Sequence, residues 1–281
     1  MLLDRRWCAV LLAGLALVLI GCPRGDGPPR ERAAPGAVAV PDERLEGLTF
    51  TLRPADERGH VQRDWMEAWF TFSFGPYRDP RHMGFGPLRV INDDIVHGGR
   101  GFSAHGHDNL EIFTWVLDGA LEHWDDVDGT NIVRADEVQY MRAGRGIRHS
   151  EYNASQTERV RLLQIWIHPE ERNLEPMYDF RSFAGRIPNG GLLPIATRGG
   201  EDGTIDIRQD ARLLLGRFDG DVVHALDVPP GRKFWIQVGE GTLTAGPQVL
   251  REGDGLAITG EGRLLLREGE GARIIVFDLP A

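Results

Sequence analysis

Cysteine is nearly absent from this 281-residue chain: Cys8 and Cys22 are the only two, and both lie close to its start. With no thiol after Cys22, neither a disulfide framework nor a cysteine-ligated metal site is available to the rest of the chain. Any bound metal must be held by His, Asp or Glu. Positive charge is also short, since 32 Lys and Arg stand against 42 Asp and Glu, for a net charge of −10. Phosphate neutralisation needs clustered cations, so nucleic acid is excluded as a partner. Long apolar runs are missing apart from residues 7–21, a stretch shorter than the ~20 residues a helix needs to cross a bilayer. No segment carries a convincing helical stripe. What is present, 41% hydrophobic and 26% charged residues, is the composition of a globular chain able to bury a core.

The N-terminus predicts export. Arg5 and Arg6 precede the apolar run "WCAVLLAGLALVLIG", the arrangement of a signal peptide over residues 1–21. The run closes on "LIGC", which resembles the bacterial lipobox and implies that Cys22 is acylated and becomes the mature terminus. The adjacent arginines also suit a twin-arginine route, which carries folded proteins. Residues 22–46 then read as the lipidated Cys22 and a flexible tether, rich in Pro, Gly, Ala and charge. The expectation is a cell-envelope lipoprotein on the periplasmic side of a bacterial membrane. It is expected to be a monomer that meets the membrane only through its lipid.

From Leu48 onward, Gly, Pro, Asn and Asp punctuate short apolar runs every eight to twelve residues, the spacing of an all-β sandwich or barrel. The clearest strands are "EIFTWVL", "EVQYM", "RVRLLQIWI", "HALDV", "KFWIQV", "GLAIT", "RLLLR" and "RIIVFDL". Residues 183–194, "FAGRIPNGGLLP", form a linker. The chain therefore divides into 47–182 and 195–281, and two tandem β-barrels are the simplest architecture.

Alternate side chains of a strand share a face, so His105 and His107 project together, as do His149 and Glu151 in "GIRHSEYN". If the two pairs face each other, three imidazoles and a carboxylate surround a divalent metal and leave positions open for water or substrate. Glu111 shares the parity of His105 and His107 and competes for the carboxylate role. The remaining histidines lack paired spacing and read as surface or structural. Among them His123 would share the parity of His107 only if the strand were unbroken, and Asp118-Gly119 predicts a turn there.

Taken in order, "ADERGH", "FTFSFGPYRDPRHMGFGPLRVINDD", "HGHDNLEIFTWVLDGALEHWD", "MRAGRGIRHSE", "LLQIWIHP" and a terminal "FDLP" resemble the pirin family of the cupin superfamily. The likeness is to the bacterial quercetin 2,3-dioxygenase-like bicupins. The resemblance implies two cupin barrels, with a metal site in the N-terminal one only and His105, His107, His149 and Glu151 as ligands. It leaves Glu111 a place behind them. It also implies O2-dependent ring opening of a flavonol or related chelating phenolic, with release of carbon monoxide and Glu151 as proton acceptor. Fe(II) is the first choice of metal, with Mn, Ni, Cu and Zn as alternatives. Two positions depart from the family pattern: Asp108 stands where a basic residue is usual, and Phe70 in "WFTFSF" replaces the polar ring of "HTFSF". The alternative reading is a non-catalytic metal- or ligand-binding cupin tethered to the envelope.

Overall fold

The computed structural model describes residues 41–281. It is built almost wholly of strands, with short 3-10 turns at Ala55–Glu57 and Glu201–Gly203 and no α-helix among the described residues. The expected signal over 1–21, Cys22 and the tether as far as residue 40 lie outside the described residues.

Two sheets make the first half. One has seven strands in the order β12 (Met177–Ser182), β9 (Glu137–Arg142), β6 (Glu111–Asp118), β11 (Val160–Ile167), β4 (Leu88–Val96), β3 (Met66–Phe70) and β2 (Gly59–Arg63). The other has four, in the order β5 (Gly101–His107), β10 (Ile147–Asn153), β7 (Ala120–Asp125) and β8 (Gly129–Arg134). The second half is one nine-stranded sheet. Its path runs β1 (Leu48–Arg53), β19 (Gly255–Gly260), β17 (Arg232–Ala245), β20 (Gly262–Pro280), β15 (Arg212–Gly220), β13 (Gly191–Arg198) and β14 (Ile205–Ile207). Beside that path, β16 (His224–Val228) pairs with β20 and β18 (Gln248–Arg251) with β17.

The seven-stranded sheet is covered on both faces, which explains why "EIFTWVL" is a continuous apolar run rather than an alternation. Toward the four-stranded sheet, Ile112 packs with Ile147, and Val116 with Leu121 and Val133. Phe113 and Trp115 join a core with Ile195, Leu213 and Phe277 of the second half. Arg161 adds a polar tie: its Nε and Nη2 donate to the two carboxylate oxygens of Asp93 at 3.0 and 2.9 Å, and Nη2 also donates to the Gly239 carbonyl.

Three boundaries differ from the sequence expectation. Residues 48–53, assigned to the first barrel, instead form β1 and pair antiparallel with β19, from Leu48 opposite Gly260 to Arg53 opposite Gly255. The apolar positions of β1 find their partners in the second core, where Leu48 and Phe50 pack. The linker is shorter than 183–194 because β13 begins at Gly191, and Pro194 is tolerated inside it where the register against β15 shifts. "RLLLR" and "RIIVFDL" belong to one strand, β20. The expected break at "EGEG" is absorbed by residues of positive φ, Glu268 and Gly271, amid register shifts in the flanking ladders.

Candidate metal centre

β5 and β10 are antiparallel neighbours, with His149 opposite His105 and Ile147 opposite His107. That register brings the three imidazoles together. Ring centroids lie 4.4 Å apart for His105 and His149, 4.8 Å for His105 and His107, and 5.0 Å for His107 and His149. One ring nitrogen from each lies within 4.8 Å of the others. A bulge between His149 and Glu151 shifts the pairing with β5. Glu151 still projects inward and is 3% exposed. It forms a separate group with His149 and His123 rather than closing equally on all three imidazoles.

The donor set fits a divalent first-row ion. Two imidazoles bound to one ion at ~2.1 Å and at right angles would hold their nitrogens about 3 Å apart, and His105 Nε2 and His149 Nε2 are 3.1 Å apart. His105 Nδ1–H donates to the Ser103 carbonyl at 2.8 Å, which keeps the ring proton on Nδ1 and leaves the Nε2 lone pair free. Burial, with repulsion from neighbouring imidazoles, lowers the pKa of His149 to about 3 and that of His107 to about 4. Both rings are therefore neutral near pH 7, the form a metal requires.

Three uncharged side chains grip Glu151. Oε1 accepts from Gln139 Nε2 at 2.6 Å and from Thr114 Oγ1 at 3.2 Å, while Oε2 accepts from Gln164 Nε2 at 3.0 Å. Gln139, Thr114 and Gln164 stand opposite one another on β9, β6 and β11 and thus form one cross-strand row on the inner face. These three were missed from sequence. The available signal was one polar residue inside each of three otherwise apolar runs, where burial demands a hydrogen-bond partner.

His123 was also missed. The turn at Gly119 does separate β6 from β7, but β7 pairs with β10 and sets His123 opposite Glu151. It is fully buried, 2.7 Å through Nε2 from Asp125 and stacked on Tyr178 at 4.5 Å. Its Nδ1 is 4.0 Å from Glu151 Oε1. Glu111, by contrast, is not at the site. The chain turns through Asn109, at φ 50°, between β5 and β6, so strand parity does not carry across. Glu111 points to the other face of its sheet and accepts from Tyr140 Oη and the Arg208 backbone N–H, both at 2.7 Å.

The histidines open into a cavity of about 70 Å³ whose walls include Glu151, Gln164, Phe74, Phe102, Ile112 and Trp166. His107 meets the Trp166 ring edge-on at 4.9 Å. A second cavity of about 200 Å³ shares Phe74, Phe102, Asn92 and Asp94 with it and continues to Trp65, Met66 and Phe70.

A barrel of facing sheets with imidazoles converging from two adjacent strands, joined to a second all-β half, defines a two-domain cupin. Residues 51–167 match the family described as Pirin, and residues 194–279 match the one described as Quercetinase C-terminal cupin domain. The chain is 42% identical over 229 residues to a quercetin 2,3-dioxygenase of Escherichia coli (strain K12), covering 82% of this chain and 98% of that protein. It is 32% identical over 227 residues to a pirin-like protein of Caulobacter vibrioides, with 80% and 97% covered. Among solved structures, the nickel(II) complex of the bacterial pirin YhhW from Escherichia coli superposes with a TM-score of 0.78 at 41% identity, covering 83% of this chain and 99% of that one. The chain belongs to the pirin family.

Proposed function

We propose that this protein is a metal-dependent dioxygenase that opens the ring of a flavonol or a related chelating phenolic with O2. The convergence of His105, His107 and His149 on a cavity walled by Glu151 carries the reading. These four residues are the proposed ligands of one divalent ion. Fe(II) is favoured because oxygen chemistry suits a redox-active ion, and the nickel complex of the relative YhhW makes Ni(II) the first alternative. When bound, such an ion would acidify a chelating hydroxyl and supply redox capacity for O2.

The remaining work falls to the chain itself. Glu151 accepts the hydroxyl proton at Oε2, whose single donor leaves one lone pair, the same one it would offer the ion, so the carboxylate serves one role at a time. Gln139, Thr114 and Gln164 hold the carboxylate still while it does so. Phe74, Phe102, Ile112 and Trp166 cover an aromatic ring and exclude water.

Loading the full chain with Fe(II) or Ni(II) and adding quercetin tests the reading. About one metal per chain, with O2 uptake and carbon monoxide release, is expected. Metal-loaded protein that consumes no O2 with any chelating phenol would overturn it, and tight flavonol binding without uptake would leave a binding protein. We also propose that the segment 1–21 exports the chain and that Cys22 carries lipid at the cell envelope. Fatty-acid labelling abolished by Cys22→Ser is the expected result.

A further inference from the structure

The polar row that grips Glu151 does not end at Gln164. On β4, Asn92 stands opposite Gln164 on one side and Phe70 on the other. Two residues on, Asp94 shares its face and stands opposite Leu162 and Ala68. Both side chains are buried, at 3% and 4% exposure. Asn92 Oδ1 and Asp94 Oδ1 have no hydrogen-bond partner among the described residues. Buried polar atoms without partners are uncommon and costly. Here both residues line the metal-site cavity and the larger cavity beyond it, at the junction of the two. Past that junction the surroundings are mostly apolar, with Val61, Trp65, Met66 and Phe70 beside Arg63.

We propose that Asn92 and Asp94 anchor the middle of an elongated aromatic substrate. They would bond a neutral hydroxyl or carbonyl that lies between a chelating end at the histidines and an apolar ring in the Phe70 cavity. This rests on the flavonol-type reading above and narrows it. The favoured substrates carry a second oxygen substituent away from the chelating pair and an unsubstituted or weakly polar terminal ring. Burial, together with the nearby carboxylates of Asp93 and Glu151, raises the Asp94 pKa well above the usual carboxylate range, so its carboxyl can donate a hydrogen bond. Phe70 sits at the apolar end of the same row. A polar ring there would offer the substrate's terminal ring a hydrogen-bonding partner, and a phenyl does not.

The test uses the metal-loaded full chain and two probes, 3,5,7-trihydroxyflavone and 3-hydroxyflavone, both with an unsubstituted phenyl ring. These share the chelating hydroxyl and carbonyl but differ in their additional hydroxyls. Binding is followed by quenching of tryptophan fluorescence. Wild type is expected to prefer the hydroxylated probe by about tenfold or more, because a site built to bond a hydroxyl penalises a ligand lacking it. Asp94→Leu should erase or sharply reduce that preference at unchanged metal content, whereas Asp94→Asn, which keeps a donor and an acceptor like the neutral carboxyl, should retain most of it, and the melting temperature of each variant confirms folding. If Asp94→Leu retains the wild-type preference, or Asp94→Asn loses it as fully as Asp94→Leu, the anchor is refuted while the flavonol reading stands. A crystal structure with flavonol bound in which only water meets Asn92 and Asp94 has the same consequence. If neither probe binds wild type, the flavonol reading itself fails and the anchor falls with it.

Discussion

Replacing Glu151 by Gln keeps the hydrogen-bonded frame of the site while removing its proton acceptor and the one anionic member of the proposed ligand set. The carboxylate takes two donors at Oε1 and one at Oε2. In the amide variant one of these positions becomes N–H and confronts the side-chain amide of Gln139 or Gln164. Gln164 can rotate its amide to present oxygen instead, giving up only the long 3.4 Å contact from Thr114 Oγ1. The network therefore refits, losing some charge assistance while no longer burying a charge. The expected cost is about 1–2 kcal/mol, or a few degrees of melting temperature for a chain of this size. The loss of the proton acceptor is far larger, because removing a general base lowers turnover by about 10²–10⁴. Oxygen-electrode rates with quercetin, beside a thermal melt and metal analysis on the same preparation, separate the two effects. A variant that melts within a few degrees of wild type and keeps its metal, yet retains more than about a tenth of wild-type turnover, would refute Glu151 as base.

Other predictions follow from the same geometry. His149 and His107 have folded pKa values lowered to about 3 and about 4, below the ordinary value near 6.5. The unfolded chain therefore binds more protons as pH falls, and metal-free protein should lose stability progressively from about pH 6.5 downward. Urea melts of the metal-free form at pH 7 and pH 5 should show this, and equal midpoints would contradict it. Asp93→Ala leaves Arg161 and the nearby Arg58 without their shared carboxylate at the contact between halves. A loss of about 3–5 kcal/mol in denaturant unfolding is expected, as for other broken buried pairs. Glu111→Gln should leave metal content unchanged and soften only the contact with Tyr140 and Arg208. Metal loss in that variant would return Glu111 to the site.

Much of this architecture was legible in the sequence, for physical reasons that also mark where legibility stops. Strand alternation is local, so the pairing of His105 with His107, and of His149 with Glu151, on shared faces could be read from spacing alone. Carrying the parity of His107 across Asn109 to Glu111 failed, because one residue of positive φ reorients all that follows. His123 and the row of Thr114, Gln139 and Gln164 depend on register between strands far apart in the chain, which no single strand encodes. The pairing of β1 with β19 is the extreme case. Nothing in "LTFTLR" names a partner more than 200 positions away, between Leu48 and Gly260.

That pairing has a consequence for how the protein comes into being. The strand made early in synthesis must wait for nearly the last segments before its backbone N–H and C=O groups are matched, and such long-range closure is slow. A chain cut between the halves would leave the amino-terminal fragment with a loose hydrophobic strand and the carboxyl-terminal fragment with a bare sheet edge, a template for unwanted pairing. The two barrels thus mature and survive as one object. Proteolysis between them should yield aggregation-prone pieces rather than two working domains.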